Sequence, residues 1–108
     1  MPYAEPLSPQ EIERLLAGLP GWSLAAGATQ LAAKYRLAHV PAAIFAVHIA
    51  SIQEELNHHS DLTLGYDTLS VSITTHAAGS RLTAKDFDLA ARIAAIAPGH
   101  GAAPLAAD

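Results

Sequence analysis

Three of the chain's six histidines fall in one window, "EELNHHSDLTLGYDTLSVSITTH", with His58 and His59 adjacent and His76 at its end. An imidazole gives and takes protons near neutral pH, so two or three held together suit a reaction that needs both an acid and a base. Metal binding is the other chemistry open to three imidazoles and a carboxylate. The spacing suits it poorly: adjacent side chains diverge, HExxH is absent, and only Glu54 and His58 stand at i, i+4. Nucleophilic catalysis has least support, since the chain has no cysteine and no G-x-S-x-G. No glycine pattern of P-loop or dinucleotide type is present either. His39, His48 and His100 read as surface or satisfied interior residues.

The elements that must position the cluster follow from periodicity. Phe45, Ile49, Ile52 and Leu56 recur at helical spacing, which predicts an amphipathic helix from Pro41 to about Asn57 and places His58-His59 at or just past its C-terminus. A hairpin then spans roughly Thr63 to Tyr66 and Leu69 to His76. In its second strand Leu69, Val71, Ile73 and Thr75 share one face, and Ser70, Ser72, Thr74 and His76 the other. That hairpin can return His76 to the histidine pair.

Upstream, Ser8-Pro9-Gln10-Glu11 has the form of a capping box and opens a short helix ending near Gly18. "WSLAA" and "TQLAAKYRL" read as a first hairpin around Ala26-Gly27-Ala28, with Leu31, Ala33, Tyr35 and Leu37 on one face. Downstream, Thr83-Ala84-Lys85-Asp86 repeats the capping logic and opens a last helix to about Ala97. The order α-β-β-α-β-β-α predicts an α+β fold: a four-stranded antiparallel sheet covered on one face by helices. One domain over residues 1–97 is expected, and residues 98–108, "PGHGAAPLAAD", read as a mobile tail without periodicity.

Composition bounds the function. A chain of 108 residues has room for one modest core, and much of its 51% apolar content is alanine, so oligomer contacts are expected to supplement that core. A formal charge of −4 without a basic run argues against a nucleic-acid surface. No apolar stretch approaches the ~18 residues of a membrane span, and "MPYAEPLSPQ" carries no leader pattern, so a cytoplasmic protein is expected.

Glu54, then His58-His59-Ser60, Tyr66, His76 and Asp86, in that order and spacing, resemble the signature of the pterin-4a-carbinolamine dehydratases. "PGW" before the first hairpin, "ELNHH", "SVSITTH" and "LTAKDFDLAARI" extend the likeness from about Ser8 to Ala97. The resemblance implies a dehydratase that removes water from a 4a-hydroxytetrahydropterin to give the quinonoid dihydropterin, in tetrahydropterin recycling. It implies no metal and no cofactor, with the pterin as substrate. His58, His59 and His76 are then the active-site histidines, His58 and His76 moving protons and His59 mainly holding the pterin. Asp86 matches a site residue that can also cap its helix, and Glu54 is expected to orient His58. Two positions depart from the family pattern: Ser60 stands where proline is usual, and Leu62 where tryptophan is usual. The resemblance further implies a homodimer or homotetramer. Its alternative is a non-catalytic binding or assembly protein on the same fold.

Overall fold

The computed structural model describes residues 5–106. Helix α1 (Pro9–Leu16) starts as its sequence predicts: Glu11 N–H donates to Ser8 Oγ and Ser8 N–H to the Glu11 carboxylate, each at 3.2 Å. Strands β1 (Ser23–Ala25) and β2 (Gln30–Arg36) form the first hairpin. Helix α2 (His39–Leu56) follows, then strands β3 (Asp61–Leu64) and β4 (Thr68–Ile73), and helix α3 (Ala84–Ile96). The sheet is antiparallel in the order β1-β2-β4-β3.

Register explains the core. Leu31 faces Ile73, Ala33 faces Val71 and Tyr35 faces Leu69, so the inward residues of the two central strands share one face. Phe45, Ile49 and Ile52 of α2 and Phe87, Leu89, Ala90 and Ile93 of α3 pack against that face. Tyr35 meets Phe45 edge-on at 5.4 Å and accepts a 3.0 Å hydrogen bond from Trp22 Nε1. Burial pushes the Tyr35 phenol up, with the Trp22 bond opposing. The opposite face of the sheet is polar: Lys34 is exposed, and Ser70 and Ser72 are half-buried.

The α+β architecture of the sequence reading stands, with the helices on one face, but the sheet has a fifth strand. The tail, expected to lack regular structure, forms a 3-10 turn at Pro98–His100 and strand β5 (Ala103–Pro104), which pairs with Tyr35 and Arg36 of β2. Packing decides this: the His100 ring lies 5.1 Å from that of Phe45, and its Nε2 is 2.8 Å from His48 Nδ1. Close approach also requires glycine at position 21, where a Cβ would stand 2.5 Å from the Pro104 Cβ. α2 begins two residues before Pro41, a position proline tolerates because first-turn N–H groups lack partners inside a helix. Among the described residues no helix is long and apolar enough to cross a membrane.

Candidate active site

The histidine pair is divided by the end of α2. Asn57 adopts the left-handed conformation (φ 51, ψ 44), which asparagine tolerates better than most residues. His58 N–H then returns to the Gln53 carbonyl at 3.0 Å, closing the helix. The reversal sends His58 inward, to nine-tenths buried, and leaves His59 exposed.

His58 donates from Nε2 to Asp86 Oδ1 at 2.7 Å, and Asp86 is fully buried in the first turn of α3. The other carboxylate oxygen accepts from Thr83 N–H at 2.7 Å and Thr75 Oγ at 2.8 Å. Because the Thr75 hydroxyl proton goes to Asp86, its 2.8 Å contact with Thr83 requires the Thr83 hydroxyl to donate to Thr75. Lys85 N–H in turn donates to Thr83 Oγ. Every member has a partner, the condition under which a buried polar network holds a fixed geometry. Asp86 thus caps α3 and anchors His58 at once.

His59 instead donates to Glu54 Oε2 at 2.7 Å, with side chains 60% and 77% exposed. Glu54 therefore pairs with His59 and not with His58, as the sequence suggested, because the left-handed Asn57 breaks the helical i, i+4 geometry. His76 also departs from its expected place: β4 ends at Ile73, and His76 opens a 3-10 turn, where Ser80 Oγ lies 3.3 Å from its Nδ1. Its exposed side of the sheet is nevertheless the one the alternation assigned.

His59 and His76 come together on a cleft of about 130 Å³. Ser60 and Asp61 line it from the β3 side, Gln30 from β2, and Ser72 and Thr74 from β4 and just beyond. A trough of about 320 Å³ on the open sheet face shares Asp61 and Ser72 with it. A larger, mainly apolar cavity of about 480 Å³ between α1 and the first hairpin contains none of the histidines, so the acid/base groups point to the smaller cleft. Among the described residues, no three His, Cys, Asp or Glu side chains converge as metal ligands would.

Sequence reasoning did not single out Gln53 or Gln30, and it gave Thr75 only a strand face and Thr83 only a helix cap, without their part in the Asp86 network. For Gln53 a signal existed: it is a polar residue flanking Ile52 of the apolar stripe, and the structure buries it. Ser60, placed among the substrate-binding or orienting residues, lines the cleft and gives both its backbone N–H and its hydroxyl to Gln53 Oε1.

A helix-backed antiparallel sheet with histidines at one cleft defines a class that the sequence comparisons identify. Residues 5–96 match the family model described as pterin 4 alpha carbinolamine dehydratase, and the chain belongs to that family. It is a dehydratase, a hydro-lyase, by that membership. A relative from Streptomyces coelicolor, provisionally named a pterin-4-alpha-carbinolamine dehydratase, is 58% identical over 92% of this chain and 97% of its own. One from Chloroflexus aggregans, named in the same way, is 44% identical over 81% of this chain and 92% of its own. The crystal structure of a "transcriptional coactivator/pterin dehydratase" from Brucella melitensis superposes with a TM-score of 0.79 at 25% identity, covering 84% of this chain and 97% of that one.

Proposed function

We propose that the cleft dehydrates a 4a-hydroxytetrahydropterin by histidine acid/base catalysis, as a step in tetrahydropterin recycling. The C4a–O bond breaks as a general acid gives its proton to the departing hydroxide, which leaves as water. A general base takes the proton of the adjacent ring nitrogen, and the C4a=N bond forms. Acid and base then re-equilibrate with solvent, so no external oxidant or reductant is needed.

The observation that carries this reading is the meeting of His59 and His76 on one cleft, with His58 held behind on Asp86. His59 and His76 are the pair assigned to proton exchange with the pterin. His58 is assigned to support, a change from the proton-transfer role the resemblance implied, because its Nε2 is committed to a buried carboxylate. Gln30, Ser72 and Thr74 supply polar groups suited to the edge of a pterin ring.

The test is the decay of freshly generated 4a-hydroxytetrahydropterin, followed by absorbance with and without the protein. Acceleration that is lost in His76→Ala supports the reading. No acceleration by folded protein overturns it in favour of a non-catalytic binding role. Self-association is part of the same reading, since α2 exposes Val40, Ile44 and Val47 at i, i+4 and i+7. Sedimentation velocity giving only monomer would remove it.

A further inference from the structure

We propose that Gln53 is a positioning residue for His59, acting as a two-point clamp on the turn that carries it; this rests on the assignment of His59 to the cleft chemistry. The main-chain oxygen of Gln53 accepts from His58 N–H at 3.0 Å. Its side-chain Oε1 accepts from Ser60 N–H at 3.1 Å and from the Ser60 hydroxyl. One residue therefore holds both neighbours of His59, the residue before it through the backbone and the residue after it through the carboxamide.

Burial gives the clamp its strength. Gln53 is 6% exposed, so its carboxamide oxygen has little water to turn to and its bonds to Ser60 are retained. The remaining tie on His59, to Glu54, lies in water, with side chains 60% and 77% exposed, and an exposed pair restrains a ring weakly. The placement of the His59 backbone therefore comes from Gln53, and the exposed carboxylate only biases the ring.

The clamp also gives Ser60 a reason. A proline at this position would fix its own φ and carry no N–H to satisfy, and it would hold the preceding histidine extended. Serine has neither constraint, and it brings two donors. Gln53 Oε1 takes both, so serine and glutamine together do what a ring would do covalently. The two positions should consequently be coupled: each is right only in the presence of the other.

The experiment is a double-mutant cycle of Gln53→Leu and Ser60→Pro, read by dehydration kinetics and by amide hydrogen exchange on the protein without substrate. Leucine keeps the side-chain bulk while removing the acceptor. Gln53→Leu should lower kcat by about tenfold with little change in KM or Tm, as expected when a catalytic group is displaced without unfolding. Ser60→Pro alone should also lower kcat, because it leaves the buried Oε1 with no donor. The double variant should recover to within about threefold of wild type, since the proline then restrains the turn and no donor or acceptor is stranded.

Losses that simply multiply in the double variant, or a wild-type kcat in Gln53→Leu, overturn the clamp. Exchange provides a readout independent of turnover: the Ser60 amide should exchange at least about tenfold faster in Gln53→Leu, while amides in the centre of α2 stay unchanged. An unchanged Ser60 amide overturns the clamp as well. Should wild-type protein not dehydrate the pterin, the functional reading fails, and the exchange of the Ser60 amide still decides the clamp.

Discussion

The site contains two imidazole–carboxylate pairs of the same length, 2.7 Å, in opposite surroundings. His58 and Asp86 are 10% and 0% exposed, while His59 and Glu54 are 60% and 77% exposed. Length alone would rank them equal. Burial separates them: the inner pair cannot exchange its partner for water, so removing one member leaves a stranded polar or charged group. The outer pair can make that exchange at small cost, which leaves the His59 ring available to a ligand. The inner pair is built into the fold, and the outer one stands open to solvent beside the cleft.

The largest expected effect tests the inner pair. Asp86→Ala removes the α3 cap and strands His58, Thr75 and Thr83 N–H, and should cost about 3–5 kcal/mol in urea unfolding. A loss below about 1 kcal/mol would break the distinction between the pairs. Next comes His76→Ala, expected to lower kcat/KM at least about 10²-fold with Tm nearly unchanged. A change of two- or threefold would reduce His76 to a positioning role.

Asp86→Asn sharpens the comparison at intermediate size. Its oxygen can still accept from Thr83 and Thr75, while its amide would donate towards His58 Nε2 and impose the other ring tautomer. Activity should fall about tenfold with the fold retained, and the tautomer change should be visible in the ring nitrogen shifts of His58.

Glu54→Gln should change stability by less than about 1 kcal/mol, and the effect should shrink further in high salt. A large, salt-resistant loss would mean that the outer pair shares the inner pair's character. The smallest effect belongs to another exposed pair, Glu55 with Arg92 at 2.7 Å. The hydrogen bond from Arg92, then its charge, holds the Glu55 carboxyl below its ordinary value. Its contribution is therefore present above the ordinary glutamate pKa and lost as pH falls through the lowered one. Arg92→Ala should flatten that acid slope slightly in unfolding measured from neutral pH downward.

Much of this was legible without coordinates because the signals are local. The Ser8 and Thr83 capping boxes rest on three-residue spacings, and both form. Alternation in β4 placed Leu69, Val71 and Ile73 inside, where the structure has them. The partners of the site were less legible. Glu54 stands four residues from His58 in sequence and bonds His59 instead, because one left-handed residue at the helix end redirects the chain. The tail lacks periodicity, and its order comes from aromatic and backbone contacts with residues more than fifty positions away.

The sequence by itself determined three helices and four of the five strands, their order, and the polar side on which Ser72 of β4 and Thr74 just beyond it reach the cleft, since helical and strand periods and caps are read within a few residues. It also assembled the residue set, Glu54, His58, His59, Ser60, Tyr66, His76 and Asp86, that carries the family likeness. Only the tertiary structure decided which histidine is buried, which carboxylate each one meets, and that Gln53 takes both donors of Ser60. Those outcomes depend on burial and on the direction of a single helix end, and both are properties of the packed chain.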